Sequence, residues 1–369
     1  ASFAAAREEL LLSLLEHVSS VCALCAQTSA GMWRRNGNAM VSQVLNYATL
    51  PLCVRLRDLD LVLIQWISTH LHPDLVLSSL LVHFGLLPWA MLAAKLKNGR
   101  YASAPLHLRH EIVDSEDSSK YLKLCEEFLL LLIQLVTELP PPPGDEAAVH
   151  NLRREVIHRL AVQASSHSEL VSACELVRDG KRLGARWLPS ILADVATSRV
   201  AAASNSASAP KVAKYELRSE VMREYDPEFY HTALQPKTLR VPAATEPTPC
   251  VCAPPPPHAA FASARALLFS PIVVAIVRSS LGDGATELLR LRAIHLLTLQ
   301  AHCLHTALDE QLRSAFISKL LDETQIVDSI ARAANEDADT AVAAAAAAAV
   351  AGARSGDGAC ATAVNSESG

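Results

Sequence analysis

Four runs decide the fold of this chain: N-L-R-R-E-V-I-H-R-L-A-V at 151–162, S-H-S-E-L at 166–170, L-P-S-I-L-A-D-V-A-T at 188–197 and K-Y-E-L at 214–217. In the first, Val149, Leu152, Val156, Ile157, Leu160 and Val162 recur at helical spacing and predict a helix from about Glu146 to Ala164. Ser166 or Ser168 supplies a hydroxyl for an N-cap with a carboxylate close behind, so a second helix starts there. Trp187 to Thr197 gives a third helix, an alanine- and serine-rich loop follows at 200–210, and 214–217 alternates as a short strand. Three helices followed by a small ribbon describe a winged helix over 151–231.

On either side the sequence is leucine-rich and helical. Helical spacing runs through 7–27, 39–50 and 58–69, and Pro73 sits in the first turn of a helix that extends to Phe84 with His72 just before it. Lys120 to Leu139 is apolar around most of its circumference, as in the middle of a bundle or repeat stack. The expected organisation is a helical scaffold at 1–139, a proline-rich linker at 140–150, the winged helix at 151–231 and a second proline-rich linker at 232–260. A further helical region covers 261–333 and a disordered low-complexity tail covers 334–369. The fold class is mainly α, a helical scaffold with an embedded α+β winged-helix domain.

Composition narrows the function. The formal charge is -5 over 369 residues, and the stretch 151–231 holds 12 Lys or Arg against 10 Asp or Glu. The third helix, read from Trp187, has Asp194 as its only formal charge. A winged helix of this kind offers duplex DNA few cations and a recognition helix without base-reading side chains, which argues against a nucleic-acid partner. The apolar windows at 59–82 and 128–139 read as buried helices, because the first carries Asp60, His70, His72 and Asp74 and the second is too short to cross a bilayer. No membrane partner is expected. The opening A-S-F-A-A-A-R-E-E-L reads as the start of a fragment rather than a signal peptide. Nine widely spaced cysteines fit reduced thiols in the cytoplasm or nucleus.

Cys22 and Cys25 form C-x-x-C inside a helical pattern without a second ligand pair, and read as core cysteines. Asp58, Asp60, His70, His72 and Asp74 match no standard metal spacing, and His295, His302, Cys303 and His305 lack a completing carboxylate. Asp226 and His231 have no nucleophile beside them and read as packing residues. No catalytic residue, cofactor or metal is expected in this chain. Trp33, Arg34 and Arg35, flanked by Gly31 and Gly37, form a candidate docking patch, and Phe229, Tyr230 and His231 a clasp on the winged helix. His167, Tyr215 and Tyr225 complete the set of structural or partner-docking positions.

G-M-W-R-R-N-G at 31–37, R-E-V-I-H-R-L at 154–160, H-S-E-L-V at 167–171 and the stretch from Tyr215 to the F-Y-H at 229–231 together resemble the UBR-type N-recognins. These are RING E3 ubiquitin ligases that recognise N-degrons, and the resemblance covers roughly residues 20–320. It implies a middle scaffold region of such a ligase, partnered with a ubiquitin-conjugating enzyme, degron-bearing substrates and other domains of the same ligase. It also implies that zinc belongs to a UBR box upstream and a RING downstream, neither of which this chain supplies, so that the chain alone is inactive. The proline-rich 236–257 stands where the family often has a long basic helix. A stand-alone helical interaction protein with an inserted winged helix is the alternative reading, and a winged-helix nucleic-acid binder the less favoured one.

Overall fold

The computed structural model describes residues 3–33, 37–48, 52–95, 115–175, 177, 180–200, 213–233, 253–282 and 284–306. Arg34 and Arg35, the 201–212 part of the alanine-serine loop, most of the second linker and the tail lie outside these residues.

The amino-terminal part is a stack of helices: α1 (Phe3–Ser29), α2 (Gly37–Ala48), α3 (Arg57–Ser68), α4 (Pro73–Phe84), α5 (Leu87–Lys95) and α6 (Ser115–Thr137). Gly31, at φ 74°, ends α1, and the amide of Met32 reaches back to the Gln27 carbonyl at 3.0 Å. Gly85, at φ 69°, closes α4 in the same way through Leu86 and Leu81. Both turns need the left-handed backbone that glycine adopts without a Cβ penalty. The start of α4 matches its sequence signals, with His72 as the N-cap accepting from the Asp74 amide and Pro73 in the first turn. Helix α6 begins five residues ahead of the expected Lys120, and from Tyr121 to Val136 it is buried on almost every side.

Downstream lie a 3-10 helix (Ala259–Phe269), then α11 (Pro271–Ser280), capped by the Ser270 hydroxyl, and α12 (Glu287–Thr306). Leu267, Leu268, Ile272, Val273, Ile276, Leu289, Leu296 and Leu299 share one apolar core with α1, α3, α4, α5 and α6. Helix α6 packs chiefly against α12, and α5 against α11. The chain therefore leaves the scaffold after α6, folds the winged helix, and returns to complete the same core. Among the described residues, Ala5–Ser29 of α1 is long and apolar enough to cross a membrane, as is the bent pair spanning 259–280 taken together. Here Leu11, Leu15 and Val18 of α1 and the inner faces of the bent pair are buried in that shared core.

The winged helix has its own smaller core around Leu152, Val156, Leu160, Leu170, Leu188, Leu192 and Val195. Its elements are α7 (Asp145–Val162), β1 (Ser165–Ser166), α8 (His167–Cys174), α9 (Gly180–Val195), β2 (Ala196–Val200) and β3 (Ala213–Leu217). The strands form an antiparallel sheet in the order β1-β3-β2, with Tyr215 opposite both Ser165 and Ser198. Ser166 caps α8 and makes a reciprocal box with Glu169. Helix α9 starts seven residues before the expected Trp187 and runs through Pro189. A proline suits a first turn; here the helix accommodates the lost amide in its interior. The extra turns bring in Lys181, Arg182 and Arg186, so Asp194 is not the only charge on this helix.

Candidate functional site: the buried polar seam

Residues 225–231, Y-D-P-E-F-Y-H, run between the two cores and make the contact surface on which the winged helix meets the scaffold. A 3-10 turn (Ser219–Glu224) delivers them and the short helix α10 (Tyr230–Ala233) ends them. The Asp226 amide donates to His158 Nε2 at 3.0 Å, while His158 Nδ1 faces the Arg154 carbonyl at 2.7 Å. Those two partners fix the tautomer: Nδ1 carries the proton and Nε2 accepts. Burial disfavours the imidazolium and pushes the His158 pKa down to about 3, so the ring stays neutral. Phe229 stacks on that ring with centroids 4.0 Å apart, and the Arg154 guanidinium lies over the Phe229 face at 5.0 Å.

On the scaffold side, Glu228 receives two hydrogen bonds of 3.0 Å from Arg292 of α12. The same guanidinium donates to the Glu126 carbonyl at 2.7 Å, and its side chain is 1% exposed. Gln134 of α6 donates to the Glu228 carbonyl at 3.2 Å and accepts from Arg57 of α3, which also reaches the Tyr230 carbonyl. Arg154 of α7 pairs with both oxygens of Glu138 at 3.0 and 3.1 Å. A bidentate guanidinium–carboxylate pair fixes orientation as well as distance. Two such pairs therefore set the angle of the winged helix on the scaffold.

His231 ties three elements together. Its Nδ1 lies 2.7 Å from Glu155 Oε2 on α7 and its Nε2 lies 3.0 Å from Asp58 Oδ2 on α3. Burial opposes charge on this ring, yet Glu155 and Asp58 outweigh it and raise the pKa to about 9. Tyr230 stacks against it at 3.7 Å. Asp226 is also perturbed: burial raises its carboxyl pKa to about 7.

The sequence-selected residues thus divide. Tyr225, Phe229, Tyr230 and His231 converge on the seam, with Tyr225 at 5.5 Å from the His158 ring. His167 and Tyr215 meet each other at 6.4 Å, between the start of α8 and β3. Trp33 lies just past α1 and is 39% exposed, while Arg34 and Arg35 fall outside the described residues. Asp226 and His231 are not paired with each other; one accepts from the Glu228 amide and the other bridges Glu155 and Asp58. Cys22 and Cys25 are free thiols raised by burial to about 12 and about 11, which leaves them unreactive at neutral pH.

Sequence reasoning did not select Arg57, Asp58, Gln134, Glu138, Glu155 or Arg292 for the seam. A usable signal existed in Gln134, the one polar residue in F-L-L-L-L-I-Q-L-V, since an amide in so apolar a run needs a buried partner. Among the described residues, one group of possible metal ligands also emerges: Cys53, in a 3-10 turn (Cys53–Arg55), Asp58 and His231 offer ligand atoms all within 4.8 Å of one another.

Residues 3–106 match the family model of the UBR1/2/3-like ARM repeat domain, and residues 151–237 that of the E3 ubiquitin-protein ligase UBR1-like winged-helix domain. These two domains belong to the UBR family. E3 ubiquitin-protein ligase UBR2 of Mus musculus is 31% identical over 219 residues, covering 59% of this chain and 11% of that protein. E3 ubiquitin-protein ligase PRT6 of Arabidopsis thaliana is 29% identical over 227 residues, covering 62% of this chain and 10% of that protein. E3 ubiquitin-protein ligase UBR1 of Drosophila melanogaster is 26% identical over 226 residues, covering 61% of this chain and 11% of that protein. The chain spans about a tenth of the length of these curated relatives. Asp58 falls within the ARM segment and His231 within the winged-helix segment, so the seam joins the two UBR domains.

Proposed function

We propose that this UBR region is an architectural element of an E3 ubiquitin ligase, holding the winged helix at a fixed angle on the ARM scaffold so that a docked ubiquitin-conjugating enzyme faces substrate lysines. The observation that carries this reading is the buried seam, where Arg292–Glu228, Arg154–Glu138 and the bridging His231 lock the two domains through directional contacts. A flexible tether would need none of these desolvated charges. Ligases of the RING class orient a charged thioester and use no side-chain nucleophile of their own. The seam's groups are likewise engaged with one another.

Within the same proposal, N-degron recognition belongs to a UBR box elsewhere in the parent polypeptide, with zinc held there and in a RING. The ligase then acts on degron-bearing proteins in the cytoplasm or nucleus. The test mixes the chain with ubiquitin-charged conjugating enzymes and follows both binding and thioester discharge to free lysine. A conjugating enzyme that binds without faster discharge is expected. Failure of every conjugating enzyme to bind, or accelerated discharge by the chain alone, overturns the reading.

A further inference from the structure

The sequence points to no metal in this chain, but the fold brings together three side chains that no spacing rule links. We propose that Cys53, Asp58 and His231 form a zinc site at the junction of scaffold and winged helix.

The geometry has three parts. First, the ligand atoms lie within 4.8 Å of one another, and His231 Nε2 is 3.0 Å from Asp58 Oδ2. Tetrahedral zinc sets its N, O and S ligands about 3.3–3.7 Å apart, so the 3.0 Å pair opens by a few tenths of an ångström and the widest separation closes by about 1.1–1.5 Å at most. Second, the other ring nitrogen of His231 faces Glu155 at 2.7 Å. A carboxylate on the far nitrogen is the arrangement that orients a metal-bound histidine and increases its basicity. Third, Asp58 Oδ1 is buried and accepts no hydrogen bond, leaving lone pairs unused within the cluster.

Charge accounting agrees with the geometry. Binding a dication displaces the thiol proton of Cys53 and the proton on His231 Nε2, so the formal charge of the pocket is unchanged. The Nδ1 proton keeps its bond to Glu155. Arg57, 4.0 Å from Asp58 Oδ1, is the nearest competing cation, and its guanidinium is held by Gln134 and the Tyr230 carbonyl. One thiolate, one imidazole and one carboxylate form a donor set suited to zinc. Because the ligands come from both domains, the metal would strengthen the seam rather than serve chemistry.

The probe is the divalent ion itself, Co2+ or Zn2+, added to the full 369-residue chain. Cobalt binding is expected to give a thiolate-to-cobalt absorption band that zinc abolishes by competition. Cys53→Ser should remove the band with circular dichroism unchanged, whereas Cys22→Ser with Cys25→Ser, and Cys250→Ser with Cys252→Ser, should leave it. Glu155→Gln, which spares all three ligands, should weaken the affinity about 10–100-fold. No thiolate band in the natural chain, or a band of equal strength in Cys53→Ser, overturns the proposal. Should Cys53→Ser fail to fold, Glu155→Gln decides, and an affinity within about twofold of the natural chain counts against the site.

Discussion

Arg292 and Glu228, 64 positions apart, meet through two parallel hydrogen bonds of 3.0 Å, with the guanidinium 1% exposed. Truncating one member of such a pair strands the other charge in a dry site. Arg292→Met is therefore expected to cost about 3–5 kcal/mol. Replacing both residues by Met should cost less than Arg292→Met alone, since no uncompensated charge remains. Urea denaturation of the two single variants and the double variant measures this directly, and additive losses would show the pair to be uncoupled.

Phe229 is buried between the His158 ring and the Arg154 guanidinium. Phe229→Ala should cost about 3–5 kcal/mol, the range for truncating a buried aromatic side chain. The loss should show in thermal melts, and limited proteolysis should cut between the winged helix and the scaffold before either core opens.

Two buried acids of the seam each contribute stability that is lost as pH rises. The Asp226 carboxyl is raised from 3.8 to about 7 and the His231 imidazolium from 6.5 to about 9. In each case the folded state holds its proton more tightly than the unfolded state. The contribution is full below the unfolded pKa and is lost as pH rises through the folded one. Without added metal, the Asp226 contribution falls from about pH 4 to 7 while the buried neutral His158 and His295, lowered to about 3 and about 4, add stability that rises up to about pH 6.5; above that the His231 contribution falls, to about pH 9. Asp226→Asn should remove the falling contribution alone, so the stability difference between natural chain and variant should decrease from about pH 4 to 7 and stay constant above it, as read from denaturation midpoints across that range.

Trp33 is 39% exposed at the end of α1, so Trp33→Ala should cost less than about 2 kcal/mol, below the range for a fully buried aromatic. A loss of 3 kcal/mol or more by denaturant titration would mean that the indole is a core residue in solution.

The helices were legible because their signals are local. Leucine spacing, His72 before Pro73, and Ser166 with Glu169 each report on a few neighbouring residues, and each marks an element where the fold has one. The start of α9 was not, because Pro189 looks like a first-turn residue and nothing in the sequence announces that the helix passes through it. Strand β2, A-T-S-R-V, follows α9 without a turn residue and lacks clean apolar alternation, so only its pairing with β3 defines it. In the seam, the aromatics stood out as a dense run, whereas their partners did not. Asp58 lies 173 residues from His231, and Arg57 and Arg292 sit among ordinary helical charges; tertiary folding alone joins them.

The central claim is that the seam fixes one angle between winged helix and scaffold. The most direct measurement is a distance distribution by pulsed electron spin resonance, using non-cysteine labels at exposed Leu59 on α3 and exposed Ala185 on α9. The natural chain should give one narrow distance that broadens in Phe229→Ala. A broad or multi-peaked distribution already present in the natural chain would contradict the account.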